Sequence, residues 1–313
     1  MRTFWRLLSE TFNEWLEDKA QRLGAALAYY AAFSIAPLLV LLVGVANFIY
    51  KEDTLLRVQS QISLISGQNA AEAILATIRG VQNTGGGLSA TILSMATLML
   101  GATGMFGQLQ DAMNTIWEVT PKPRRLWADI LRTRALSFLM VLAICFLLLV
   151  SLALTAYLAN VSKYFQTLLP FTATVWPLVD FGFSFVLTTM LFAAIFKILP
   201  DVHIAWRDVW LGAAATAALF AVGKILIGLY LGRSSFTSAY GAAGSFLVLL
   251  VWVYYSAQIL FFGAEFTWVY TKQYKGRLRP ARGAVFLSEA LRIHQGIPHG
   301  EVIKEAFKDR RPA

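Results

Sequence analysis

Glu265, Lys224, Asp180 and Arg233 are the residues best placed to do chemistry, because each interrupts or borders a long apolar run. An ionisable group at membrane depth is costly, so it faces protein or water and ranks as a functional candidate. Lys224 lies inside the run from Val209 to Leu231, and Asp180 lies just inside the run from Trp176 to Leu199. Their similar depths fit a salt bridge that either fixes two helices or lines a polar cavity with Arg233 at its mouth. In the competing reading Lys224 snorkels its long stem toward the headgroups and Asp180 marks a helix end. Glu265 closes a stretch of 31 charge-free residues, Ser234 to Ala264, and Arg22 stands at the entrance of the first apolar run. Opposite charges at matching depth predict pairing, with Asp111 and Asn114 near the same level. Structural cross-bracing and proton coupling or substrate contact are both open for that group.

Catalytic chemistry has little support. The three histidines, His203, His294 and His299, lack the close His/Asp/Glu spacing of a zinc or paired-metal site. Neither a phosphate-cradling GxxxxGK[ST] nor a GxSxG nucleophile turn is present. Cys145 is the single cysteine and sits in an apolar run, so an intrachain disulfide is excluded and a buried structural thiol is expected. The chain is therefore read as a non-enzyme without metal or cofactor.

The elements that must position these residues are helices in a bilayer. With 57% hydrophobic and 14% charged residues in 313, the chain is too apolar for an ordinary soluble domain. The expected fold class is all-α, a polytopic membrane protein with about six transmembrane helices plus amphipathic interfacial helices. Residues 3 to 19 place Trp5, Leu8, Phe12, Trp15 and Leu16 at helical spacing, with Glu10, Glu14 and Asp18 on other faces. That pattern predicts a helix lying on the membrane surface. The segment is too densely charged for a cleavable signal peptide, so it is expected to be retained.

The first apolar run, Leu23 to Tyr50, contains Pro37, a hinge candidate because proline frees a backbone bond in a membrane helix. The second, Leu88 to Gln108, is rich in small residues, which lets helix backbones approach closely and permits self-association into a homo-oligomer. Arg124, Arg125, Arg132 and Arg134 flank Leu126, Trp127, Ile130 and Leu131, a basic amphipathic segment suited to anionic headgroups. Further runs follow at 135–159, 176–199 and 209–231, and the 31-residue stretch supplies the sixth. The organisation read from this is an N-terminal amphipathic helix over 1–22, a transmembrane domain over 23–270 and a basic tail over 271–313. A helical pattern resumes in the tail from Ala284 to Ile293 and is broken by Gly296 and Pro298.

The net charge of +9 is explained by topology rather than by nucleic acid. The N-terminus, the 108–135 and 197–208 connectors and the tail carry 21 Lys and Arg, against 5 on the alternate connectors. By the positive-inside rule both termini are cytoplasmic.

ALAYYAAFSIAPLL (26–39), LQDAMNTIWEV (109–119) and YGAAGSFLVLLVWVYYSAQILFFGAEF (240–266) resemble the YihY/BrkB family of bacterial inner-membrane proteins, in order and spacing, over about residues 10 to 273. The resemblance implies a six-helix inner-membrane protein. The family has carried the labels virulence factor and ribonuclease BN, the second regarded as a misassignment. Its members are associated with envelope integrity and with export of lipids or small solutes. Carried over by position, Glu265 in FGAE and Asn114 before Trp117 are the polar family-like residues. The expectation is a transporter or exporter of a lipid or small amphipathic solute. The alternative is a non-transporting scaffold or envelope-integrity factor that binds anionic lipid or protein partners on the cytoplasmic side.

Overall fold

The computed structural model describes residues 2–33, 104–122, 172–233, 242–274, 278–281, 283–300 and 302. Pro37 and the arginines at 124, 125, 132 and 134 lie outside them. The described chain is mostly helical: α1 (Arg2–Glu17), α2 (described over 20–33), α3 (described over 104–116), α4 (Thr172–Ile198), α5 (Trp206–Arg233), α6 (Ala242–Tyr274) and α7 (Glu289–Gln295). Four short strands join them: β1 (Val119–Pro121), β2 (Val202–His203), β3 (Arg279–Pro280) and β4 (Ala284–Phe286). β1 pairs antiparallel with β4, Val119 opposite Phe286, and β2 pairs antiparallel with β3, Val202 opposite Pro280. The helical pattern read from Ala284 therefore begins as a strand, since the backbone of 284–286 is taken up by β1 before Ser288 opens α7.

Two segments among the described residues, Phe181–Ile198 in α4 and Trp206–Leu226 in α5, are long and apolar enough to cross a membrane. Only 28% and 33% of these windows is buried, so the protein interior is not what covers their Phe, Val, Leu and Ile side chains. A fatty environment satisfies such a surface where water would not. α6, at 33 residues, is about 50 Å long at the α-helical rise and exceeds the roughly 30 Å hydrocarbon thickness. Glu265 sits about 35 Å along that axis from Ala242.

The contacts divide the chain into two compact units: Met1–Arg22 with Gln110–Gly223 and Gln258–Ala313, and Leu23–Leu109 with Lys224–Ala257. In the second, a Cβ added at Gly104 would stand 2.9 Å from the Tyr30 ring, so α2 and α3 meet where α3 lacks a side chain. In the first, α5 and α6 interlock through two reciprocal Gly-x-x-x-Thr segments. A Cβ on Gly212 would lie 1.8 Å from Thr267 Oγ1, and one on Gly263 would lie 1.9 Å from Thr216 Oγ1. Each threonine hydroxyl donates back to a carbonyl of its own helix, Thr216 to Gly212 and Thr267 to Gly263, both at 2.7 Å. The hydroxyls are thus satisfied within their own helix while lying directly against the facing glycine, the small-xxx-small logic of close helix packing. Phe192 of α4 packs edge-on to Phe220 of α5, completing a core with Phe196, Val209, Phe261 and Trp268.

Candidate functional site

The first unit carries a buried ionic clasp built from three places where the chain turns. α1 ends at Glu17, and Lys19 adopts a left-handed φ of 52°, so Asp18 is left at the elbow and buried, 3% exposed. α3 ends in the same way: Glu118 has φ 51°, its N–H donates to the Thr115 carbonyl at 3.0 Å, and β1 follows. Left-handed conformations cost a non-glycine residue roughly 1–2 kcal/mol, so each turn must be held by its surroundings. In the tail, Gly296 with φ 74° closes α7 in a Schellman arrangement. Its N–H donates to Ile293 O at 3.0 Å, and that of Ile297 to Arg292 O at 2.9 Å.

The side chains at these turns form one chain of charges. Arg292 Nη2 donates to Asp18 Oδ1 at 2.7 Å, and its Nη1 stands 3.6 Å from Glu118 Oε1. His299 Nε2 lies 2.9 Å from that same Glu118 oxygen, while its Nδ1 faces Glu289 Oε2. The His299 backbone N–H also donates to Glu289, at 3.0 Å. Lys19 Nζ donates to the Gly296 carbonyl. Residues 18 and 292 are thereby joined across nearly the whole sequence.

Burial pushes the Asp18 carboxyl up to about 7, with the Arg292 guanidinium pulling the other way. Arg292 is held firmly protonated: burial acts against its charge, and Asp18 and Glu118 outweigh that. His299 follows the same logic, since partial burial is overcome by carboxylates on both ring nitrogens, and its pKa rises. Both nitrogens can donate at once only in the imidazolium form.

Glu265 is buried, 1% exposed, in the α6 turn that also holds Gly263 and Thr267. Neither of its oxygens has a hydrogen-bond partner among the described residues. The expected Glu265–Arg22 pair is not formed; Arg22 is exposed at the start of α2. The charges acting on Glu265 are those of Asp18, Glu14, Arg292 and Glu118. The physical reason lies at the elbow, where the left-handed turn at Lys19 leaves Asp18 inside and Arg22 outside.

Asn114 is 4% exposed and makes a two-way clasp with Asp201. Its Nδ2 donates to Asp201 Oδ2 at 3.0 Å, and the Asp201 N–H donates back to Asn114 Oδ1 at 2.8 Å. This holds the α4–α5 turn against α3, and the Asp201 carbonyl accepts from Ala281 N–H at 2.9 Å in the tail. Asp111 is exposed one turn earlier, its carbonyl accepting the Thr115 hydroxyl. Lys224 is exposed on α5. The Asp180 and Arg233 side chains lie outside the described ones, as does the Lys224–Asp180 pairing expected from sequence.

Asp18, Glu118, Asp201, Glu289, Arg292 and His299 were not singled out from sequence. Across the set their spacing follows no helical or strand period; Asp18 stood only as a polar position of the amphipathic helix, and Glu289 and Arg292 only as unremarked positions of the helical pattern read from Ala284 to Ile293. Among the described residues no group of three or more His, Cys, Asp or Glu is arranged to hold a metal ion.

The family model described as Virulence factor BrkB matches residues 11–285. The chain is 28% identical over 310 residues to a UPF0761 membrane protein of Azotobacter vinelandii, covering 96% of this chain and 72% of the relative. It is 27% identical to a UPF0761 membrane protein of Pseudomonas aeruginosa strain LESB58, covering 96% and 71%. A Bacillus subtilis protein named putative ribonuclease-like protein YfkH is 24% identical, covering 82% of this chain and 92% of the relative. No solved structure gives a significant match.

Proposed function

This chain belongs to the virulence factor BrkB family of membrane proteins, and from that premise we propose that it moves a lipid or a small amphipathic solute across the bacterial inner membrane. In this reading the protein has about six spans, both termini in the cytoplasm and no catalytic activity. Glu265 is the observation that carries the proposal. A carboxyl that braces two helices does so through hydrogen bonds or an ion pair, and Glu265 has no hydrogen-bond partner among the described residues while being buried in α6. A group that takes up and releases a proton, or meets a passing headgroup, needs such an uncommitted face. Asp18 and Arg292 act on it electrostatically, so a change in its charge is felt by the clasp. Lys224, Asp180 and Arg233 remain candidates for a second polar station on the outer side, with Pro37 as the hinge.

The test is flux of a labelled phospholipid in proteoliposomes. Glu265→Gln keeps the volume and removes the charge, and it should abolish flux while the folded protein stays abundant. Flux unchanged in both Glu265→Gln and Lys224→Gln would sink the transport reading.

The clasp itself favours a second reading, a non-transporting scaffold. A buried pair tying the N-terminal helix to the tail suits a protein that presents a fixed cytoplasmic face to anionic lipid, with Arg124, Arg125, Arg132 and Arg134, or to a protein partner. Under it Glu265→Gln alters stability alone, and charge removal in the arginine segment abolishes function.

A further inference from the structure

We propose that the cavity at the α1–α2 elbow binds the phosphate of an anionic glycerophospholipid headgroup, with Lys19 and Arg22 as donors and the Trp15 ring as its wall. The cavity holds about 250 Å³ and is lined by Trp15, Leu16, Lys19, Gln21 and Arg22. That lining carries two cations and no carboxylate. The Trp15 ring walls the cavity, and its Nε1 is shielded, out of reach of a ligand there. Lys19 gives one hydrogen bond to the Gly296 carbonyl and keeps two donors. Arg22 is exposed and forms no ion pair among the described residues, and a guanidinium fork suits phosphate oxygens.

The surrounding surface decides the occupant. Trp5, Phe12 and Leu16 are 69%, 51% and 46% exposed and fall within one narrow stripe of α1, since seven and eleven residues are close to whole helical turns. The opposite side of α1 packs inward through Leu7 and Thr11 and leads to Asp18. An amphipathic helix with an outward aromatic stripe lies in the headgroup region of a bilayer. Leu16 belongs to both the stripe and the cavity wall, so the cavity opens at the depth of lipid phosphates. A free phosphate would use the cations and leave the stripe in water. This site is distinct from Glu265 and holds a lipid whether or not the chain transports one.

The full chain in detergent is titrated with phosphatidylglycerol or phosphatidylcholine, and retained lipids are counted by native mass spectrometry. Phosphatidylglycerol should be bound in preference. Arg22→Gln and Lys19→Gln should each weaken the tightest-bound lipid about tenfold, the scale of one charged hydrogen bond. Lys19→Gln keeps a donor for the Gly296 carbonyl and decides alone if Arg22→Gln does not purify. Equal phosphatidylglycerol binding by the wild type and the variants overturns the site. Complete displacement of the lipid by millimolar inorganic phosphate overturns the lipid as its occupant.

Discussion

Arg292 is the residue on which the clasp depends. It is 1% exposed, its Nη2 is bonded to Asp18, and its Nε and Nη1 have no hydrogen-bond partner among the described residues. Removing one member of a buried pair costs about 3–5 kcal/mol, because the other charge is left without compensation. Arg292→Met should therefore lower the thermal midpoint of the purified protein strongly, and adding Asp18→Leu should recover part of the loss. A single variant as stable as the wild type would mean that the pair is not buried in the membrane-bound protein. The pH dependence has a definite sign. His299 and Asp18 both bind protons more tightly in the folded chain than at their ordinary values of 6.5 and 3.8. The stability they contribute is complete below those values and is lost as pH rises through the folded ones, about 7 for Asp18. Amide hydrogen exchange over 289–299, corrected for intrinsic rate, should quicken as pH rises above 6.5, the ordinary histidine value, toward the raised folded one. His299→Gln should flatten that dependence.

Among the elements, α5 and α6 are the pair whose separation is set by single atoms. A methyl group at Gly212 meets the Thr267 hydroxyl at 1.8 Å and its Cβ at 2.7 Å, distances that force the helices apart. Overpacking of this kind costs about 1–3 kcal/mol, so Gly212→Ala and Gly263→Ala should each lower the midpoint in detergent. Gly182→Ala, in open space on α4, should not. Adding Thr267→Ala to Gly212→Ala should rescue only partly, because the Thr267 Cβ remains in the way. Equal midpoints for the Gly212 and Gly182 variants would refute the interlock. The helices themselves were legible from apolar runs, because hydropathy over eighteen or more residues is a local property. The Gly/Thr interlock was not, since Gly212 and Gly263 look like many other small residues in these runs until the partner helix is known. β4 shows the same limit in reverse: Ala284–Phe286 fits a helical pattern locally and is a strand because β1 supplies its hydrogen bonds.

For the whole molecule, the clasp and the charge count converge on one prediction from independent grounds. Asp18 comes from the N-terminus, Glu118 from the 108–135 connector, Asp201 from the 197–208 connector, and Arg292 and His299 from the tail. The ion pairs, the Asn114–Asp201 exchange and the β1–β4 and β2–β3 ladders join all four. These are the four segments that carry 21 of the 27 basic residues, and segments in contact cannot lie on opposite sides of a bilayer. Charge counting alone could misplace one connector. Physical contact couples them, so they share one side, which the proposed topology puts in the cytoplasm. With Cys145 replaced by serine the chain has no thiol, which allows single-cysteine labelling. An impermeant maleimide applied to intact spheroplasts should label Asn83→Cys and Gln166→Cys, and should reach Thr3→Cys and Lys308→Cys only after permeabilisation. Labelling of either terminal site in intact cells would break the topology, because the clasp would carry the other connectors with it and place most of the positive charge outside.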